Sequence, residues 1–126
     1  MMTTTSNPIS NRNDLLALRC APAKDALAAP EAQRLAALLP DWTLDSGKLV
    51  RKFSFKNYYE TLAFVNALAW VTHAEDHHPE LTVTYNSCTA RYDTHSVNQG
   101  QGGLSLNDFI CAAKADALLP ATVGAA

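Results

Sequence analysis

The sequence predicts an α+β domain in which three helices pack on one face of a four-stranded antiparallel sheet. Two observations support this prediction. Apolar residues recur with helical spacing in three segments and alternate with polar residues in four others, in the order helix-strand-strand-helix-strand-strand-helix. The chain has 126 residues, of which 48% are hydrophobic, and this size and composition are typical of one packed domain.

Each predicted helix has an apolar stripe and a recognisable end. The helices span residues 30–39, 58–76 and 106–118, with a weaker helical pattern over 13–18. Pro30 suits the first turn of the first helix, and Pro40 ends it. Asn57 is a suitable N-cap for the second helix. Ser105 and Asp108 form the Ser-x-x-Asp capping box that opens the third.

Alternation of apolar and polar residues predicts four strands in two hairpins. The strands span residues 41–44, 48–55, 81–85 and 88–93. Ser46-Gly47 supplies the turn of the first hairpin, and Asn86-Ser87 supplies that of the second. Arg51 interrupts the apolar face of its strand, and we interpret it as a surface cation rather than a ligand contact.

We predict one domain at residues 30–119, a partly flexible extension at 1–29 and a flexible tail at 120–126. The first residues lack the apolar core of a signal peptide, and no apolar stretch approaches the ~18–20 residues of a membrane span. The three cysteines form no C-x-x-C pair, so we predict neither a zinc ribbon nor a disulfide scaffold. These features favour a cytoplasmic protein with reduced thiols and no membrane partner.

The charge balance argues against a nucleic-acid partner. Ten Lys and Arg residues against twelve Asp and Glu residues give a formal net charge of −2, whereas phosphate binding needs clustered cations. All four histidines lie in one stretch, from His73 to His95. This clustering indicates a functional site.

Two short polar segments in that stretch end predicted elements. Residues 75–80, Glu-Asp-His-His-Pro-Glu, end the long helix, because the residue before a proline leaves the α region. Thr94-His95 ends the last strand and precedes a Gly-rich loop and Asp108. Imidazole, with an ordinary pKa of about 6.5, transfers protons near neutral pH, and a neighbouring carboxylate orients its ring. The pattern therefore predicts acid–base chemistry.

Other interpretations of these residues stay open. A histidine at a helix end is often a solvated cap, and the capping box alone explains Asp108. His73 lies four residues before His77, a spacing that also suits a metal pair, although we interpret His73 as an exposed helix residue.

A pattern spread over residues 70–108 joins these features. It contains a polar residue four positions before His-His-Pro, then an aromatic residue, a Thr-His pair and an Asp that opens the last helix. In this chain the pattern consists of His73, His77, His78, Pro79, Tyr85, Thr94, His95 and Asp108. The Pro-Asp-Trp run at 40–42 and the Leu-Ser-x-x-Asp-Phe-Ile run at 104–110 extend it. Over residues 30–118 the chain resembles the pterin-4a-carbinolamine dehydratases.

The resemblance implies an activity. Similar proteins are carbon–oxygen lyases that dehydrate 4a-hydroxytetrahydrobiopterin to the quinonoid dihydropterin and water, which recycles the cofactor of aromatic amino-acid hydroxylases. The resemblance implies a small-molecule pterin substrate, no metal and no redox cofactor, and assembly into a homodimer or homotetramer.

The resemblance also implies roles for single residues. The implied catalytic residues are His77 and His95, as an acid–base pair, and His78, which would position the pterin. Pro79 would fix the turn that presents the imidazoles. Asp108 would orient His95 or bind the polar edge of the site.

The chain departs from the family pattern in two places. His73 stands where that family often has Glu, and Glu75 is the candidate replacement. We therefore include both among the substrate-binding candidates, with Pro79 and Asp108. The loop at residues 96–103 is longer than in animal members, which bears on substrate access.

Two other functions remain as alternatives. One is a metalloenzyme that uses His73, His77, His95 and Asp108 as ligands, a donor set suited to zinc or iron. The other is a non-catalytic pterin-binding or protein-interaction module of the same fold.

Overall fold

Four antiparallel strands form one open sheet, and helices cover one of its faces. The computed structural model describes residues 9–119. The strands are β1 (Thr43–Asp45), β2 (Lys48–Ser54), β3 (Glu80–Val83) and β4 (Ser87–Tyr92). The α-helices are α1 (Arg12–Leu16), α2 (Ala29–Ala36), α3 (Tyr58–Glu75) and α4 (Leu106–Asp116), with a short 3-10 turn at Asn98–Gly100. The predicted α+β class and order of elements are confirmed, and α1 lies where the weaker helical pattern at residues 13–18 was predicted.

The sheet order is β1-β2-β4-β3, so the two hairpins join through their second strands. Leu49 lies opposite Tyr92, and Phe53 lies opposite Cys88. Because side chains alternate across a strand, these four residues share one face of the sheet. All four are buried, so this face is the one against which the helices pack.

Aromatic rings fill the centre of the core between sheet and helices. The Trp42 ring lies 5.8 Å from the rings of both Phe53 and Tyr92, and the Phe53 and Phe64 rings are 4.4 Å apart. The helix α4 contributes the largest share of buried helix residues, which are Asp108, Phe109, Ile110, Cys111, Ala112, Ala113, Ala115 and Asp116. Small alanines on α4 let it lie close to the sheet and to α3.

Arg51 is where the structure differs most from the strand pattern. Its guanidinium faces the core, 2.6 Å from Asp116 Oδ1, and lies 4.4 Å over the Phe53 ring. The interpretation as a surface cation was wrong, because a buried carboxylate on α4 supplies the counter-charge that lets a cation occupy an apolar strand face.

The first part of the N-terminal extension that the structure describes packs on the core. Leu15 of α1 is fully buried, and the Leu27 N–H donates to the Leu104 carbonyl. Residues 1–8 and 120–126, which belong to the predicted flexible ends, lie outside the described residues.

Within the described part of the chain, none of the helices combines the length and the apolar character that crossing a bilayer requires.

Candidate active site

The site begins where α3 ends. Asp76 adopts a left-handed conformation, with φ 52° and ψ 44°, and its N–H donates to the Thr72 carbonyl. Asp is one of the few residues other than Gly that enter this region readily. The left-handed residue turns the chain away from the helix axis and directs the His77 ring toward the N-terminus of α4.

Asp108 holds His77 in place. His77 Nε2 lies 2.6 Å from Asp108 Oδ1, and the two side chains are 12% and 0% exposed. Because a carboxylate accepts hydrogen bonds, Nε2 carries a proton, and Nδ1 is the ring nitrogen left for a ligand.

The second oxygen of Asp108 is fully engaged by its neighbours. Asp108 Oδ2 accepts hydrogen bonds from the Ser105 N–H and the Thr94 hydroxyl, both at 2.9 Å. The Ser105 hydroxyl lies 2.7 Å from Thr94 Oγ1 and accepts from the Asn107 N–H. The predicted capping box is confirmed, and the same carboxylate also orients the histidine. Helix capping and ring orientation are therefore two roles of one residue.

The electrostatics of His77 favour its charged form. Burial disfavours the imidazolium, but the hydrogen bond and negative charge of Asp108 outweigh burial, and the pKa of His77 is raised above its ordinary value. The ring also stacks on Tyr92, with 5.9 Å between ring centroids and 10° between planes. His77 is thus a fixed ring whose charged form the surrounding groups favour.

We expect the protonation of His77 to make the free energy of unfolding depend on pH. The folded-state pKa of His77 is raised, so its contribution is fully present below the unfolded value of about 6.5 and is lost as pH rises through the folded value. Urea unfolding of the wild type and of His77→Gln, at a series of pH values from about 6 to about 9, measures this. The difference in free energy of unfolding should shrink as pH rises, and a constant difference would contradict the assignment.

His77 opens into a cavity of about 370 Å³, a volume that suits a small organic ligand. Its walls come from four parts of the chain. They are formed by Cys20, Ala21, Pro22, Ala23, Glu75, Asp76, His77, His78, Asp93, Thr94, His95, Ser96 and Asn107. The three histidines predicted to be catalytic therefore border one cavity.

Residues 20–23 form one wall of this cavity, and we call them the N-terminal strap. The Asn107 amide pairs with both backbone groups of Ala21, accepting from its N–H at 3.0 Å and donating to its carbonyl at 2.7 Å. The Ser96 hydroxyl donates to the Ala23 carbonyl at 2.8 Å. The strap is thereby fixed to α4 and to the loop after β4.

Glu75 anchors the same strap from the other side. Its carboxylate accepts from the Cys20 N–H at 2.8 Å and from Lys114 at 2.7 Å, and Arg19 lies 3.0 Å away. Burial raises the pKa of Glu75, but these donors outweigh it and the net pKa is lowered. Both oxygens are occupied by protein groups, so Glu75 shapes the wall.

The remaining predicted residues divide between two sides of the helix end. His95 is 88% exposed, with Nε2 3.4 Å from Asp93, so Asp93 rather than Asp108 is its carboxylate neighbour. His78 borders both the His77 cavity and a second cavity behind it. His73 and Pro79 border only the second cavity of the two, between α3 and β3.

The four residues that the metalloenzyme alternative would use as ligands do not lie together in the fold. Among residues 9–119, no three side chains of His, Cys, Asp or Glu are grouped so that they could hold a metal ion. His73 borders a different cavity from His95, and Asp108 is committed to His77 and its own capping contacts.

Sequence reasoning missed Asn107, Asp93 and the N-terminal strap as parts of the site. Asp93 lies two residues before His95, and this spacing on a strand end was a usable signal. Asn107 and the strap left no such signal, because their contact joins residues far apart in the chain and depends on how the extension folds back.

Comparison with known proteins identifies relatives of this chain. The family model described as pterin 4 alpha carbinolamine dehydratase matches residues 25–118. A protein of Bdellovibrio bacteriovorus, provisionally named pterin-4-alpha-carbinolamine dehydratase, is 51% identical over 108 residues, which cover 86% of this chain and 90% of the relative. One from Stenotrophomonas maltophilia, with the same provisional name, is 54% identical over 105 residues, 79% of this chain and 87% of the relative.

A solved structure supports the same relationship. It is described as a transcriptional coactivator/pterin dehydratase from Brucella melitensis, and it matches with a TM-score of 0.67 and 27% identity. The match covers 74% of this chain and 97% of that one. The chain therefore belongs to the pterin 4 alpha carbinolamine dehydratase family.

Proposed function

We propose that this protein dehydrates 4a-hydroxytetrahydrobiopterin to the quinonoid dihydropterin, as a lyase that recycles the pterin cofactor of aromatic amino-acid hydroxylases. The observation that carries the proposal is the His77–Asp108 pair, with 2.6 Å between Nε2 and Oδ1, on a cavity that His78 and His95 also border. Family membership supplies the substrate class.

The reaction requires two proton transfers. The substrate bears a hydroxyl on C4a and a hydrogen on N5. When the hydroxyl takes up a proton, the C4a–O bond breaks and water leaves, and loss of the N5 proton completes the C4a=N5 double bond. Each transfer by a positioned side chain accelerates the reaction by ~10²–10⁴-fold. Two imidazoles can therefore supply both proton transfers.

We assign the acid role to His77. Its raised pKa favours the imidazolium, and Asp108 binds Nε2, so the Nδ1 proton is the one given to the departing hydroxyl. Asp108 acts through His77 as a positioning residue, since its own carboxylate is fully buried.

We assign the base role to His95 and substrate positioning to His78. His95 is exposed at the cavity edge beside Asp93, where its imidazole can accept the N5 proton and pass it to solvent. His78 borders the same cavity next to His77, and Pro79 stiffens the turn that carries both rings.

A stopped-flow assay tests the proposal. A hydroxylase generates 4a-hydroxytetrahydrobiopterin, which dehydrates slowly without a catalyst, and the protein should raise the first-order rate in proportion to its concentration, with chelator present. Binding of pterin with no acceleration would favour a non-catalytic module. Activity that chelator abolishes and metal restores would favour the metalloenzyme.

We also propose that the chain self-associates through the outer face of α3. Tyr59 and Trp70 are 83% and 76% exposed, and Leu62 lies between them on the same side of the helix. The adjoining edge strand β3 leaves Val83 exposed. An apolar surface of this kind is typical of an interface between copies, in agreement with the dimer or tetramer that the family resemblance implies.

Trp70→Glu should reduce the assembly, because it introduces a charge into this apolar face. Sedimentation velocity should give a smaller species for Trp70→Glu than for the wild type. Lys52→Glu, on the exposed face of the sheet, is the control and should sediment like the wild type. A wild type that is monomeric at all concentrations would refute the proposal.

A further inference from the structure

Two thiols that the proposed chemistry does not use lie side by side at the cavity wall. Cys20 Sγ is 3.5 Å from Cys111 Sγ, although the residues are 91 positions apart in the chain. Cys20 belongs to the N-terminal strap and borders the cavity, whereas Cys111 is fully buried in α4. The Cys20 thiol is therefore accessible from the cavity, and the Cys111 thiol lies buried behind it.

The protein holds this pair by contacts on both sides. Glu75 accepts from the Cys20 N–H, and Asn107, one turn before Cys111 on α4, pairs with Ala21. Sulfurs in a disulfide are about 2.05 Å apart, so bonding requires an approach of about 1.5 Å from the present 3.5 Å. The strap, in which Ala21 and Pro22 are exposed, supplies that movement more readily than the buried helix α4 does.

The two thiols differ in reactivity. The hydrogen bond with Cys111 lowers the pKa of Cys20 in spite of its burial and the nearby Glu75, and His77 assists. The same contact and burial raise the pKa of Cys111. Thiolates are the reactive form of cysteine, so Cys20 has the profile of the attacking sulfur and Cys111 that of a resolving one.

We propose that Cys20 is an oxidative modification site, at which hydrogen peroxide drives an intramolecular disulfide with Cys111. The disulfide joins the cavity wall to α4 covalently. This inference does not rest on the proposed dehydratase activity, because it concerns the thiols alone.

The steps balance with one peroxide per disulfide. Cys20 Sγ attacks one peroxide oxygen, the O–O bond breaks, and the products are Cys20 sulfenic acid and water. Cys111 Sγ then attacks the Cys20 sulfur, the S–O bond breaks, and the departing hydroxide takes the Cys111 proton as a second water. Two thiols are oxidised and one peroxide is reduced to two waters.

Mass spectrometry of the peroxide-treated full chain tests the proposal. The intact mass should fall by two hydrogens, and peptide mapping should link the peptides that contain Cys20 and Cys111. After denaturation, alkylation should label one thiol per chain instead of three. Cys88 is the internal control, because it is fully buried in β4 and burial raises its pKa, so it should be the labelled thiol.

Variants separate the two steps. In Cys111→Ala, oxidation should stop at the sulfenic acid of Cys20, which dimedone traps, whereas Cys20→Ser should keep both remaining thiols reduced. Cys88→Ser should form the disulfide as the wild type does. Three labelled thiols in treated wild type, a disulfide that joins two chains, or one that includes Cys88 would overturn the proposal. Circular dichroism of each variant checks that it is folded.

Discussion

Replacing His77 with Gln should lower the first-order rate of pterin dehydration by ~10² or more, the loss typical of a general acid. Gln keeps an N–H group for Asp108 but has no titrating proton, so the fold and the Asp108 contacts should survive. Stopped-flow rates measured beside circular dichroism distinguish lost chemistry from lost structure. His77→Gln with near wild-type turnover would remove His77 from the acid role.

Asp108→Asn should act through His77 and shift the pH profile. The Asp108 carboxylate is the main group that raises the pKa of His77 against burial, so its removal lowers that pKa. An acid must be protonated, so activity falls as pH rises through the pKa of His77. In Asp108→Asn the pH range over which the dehydration rate falls should therefore move to lower pH.

The matched control for Asp108→Asn is Asp45→Asn, the same change at an exposed position on β1. Its pH profile should coincide with that of the wild type. A lower rate in Asp108→Asn whose fall with pH occurs over the same range as in the wild type would indicate that Asp108 only caps α4.

Asp116→Ala should give the largest loss of stability, about 3–5 kcal/mol, because it strands a buried charge. Asp116 Oδ1 accepts from Arg51 Nη1 at 2.6 Å and from Trp42 Nε1 at 2.9 Å. The Arg51 and Asp116 side chains are only 16% and 3% exposed. Without the carboxylate, the guanidinium and the indole N–H lose their partner in the core. Urea unfolding measures the loss.

Two comparisons isolate the buried pair as the cause. Glu31→Ala removes an exposed partner of Arg34, and it should cost far less, because solvent screens surface ion pairs. Arg51→Met combined with Asp116→Leu replaces the pair by apolar side chains and should recover most of the lost stability. Equal losses for Asp116→Ala and Glu31→Ala would contradict the assignment.

Local sequence patterns predicted the secondary structure because they report on burial one element at a time. The long helix was expected at residues 58–76 and is α3, Tyr58–Glu75. The first helix was expected at 30–39 and is shorter, Ala29–Ala36. Residues 37–39 instead form a turn tightened by bonds such as that from the Leu38 N–H to the Leu35 carbonyl. Apolar spacing extends through such a turn, so the pattern does not mark the last helical residue.

In the candidate site too, the sequence predicted the local features but not the contacts between distant residues. The sequence placed His77 and His78 at a helix end and Asp108 at a helix start, which are local facts. The family resemblance implied that Asp108 orients His95 or binds the polar edge of the site, whereas in the fold Asp108 contacts His77 and His95 lies beside Asp93. The order of residues along a chain does not specify which ring turns toward which carboxylate. That choice follows from the left-handed residue Asp76 after α3 and from the place of Asp108 in the first turn of α4.

By itself, then, the sequence determined the fold class, the order of its elements, the histidine-rich stretch and the family pattern. Each of these depends on spacing within a short segment. Only the tertiary structure decided the β2–β4 pairing, the burial of Arg51 against Asp116, and the Cys20–Cys111 contact across the cavity wall. These contacts join distant segments whose partners are selected by topology and close packing, and hydrophobic periodicity carries no information about partners.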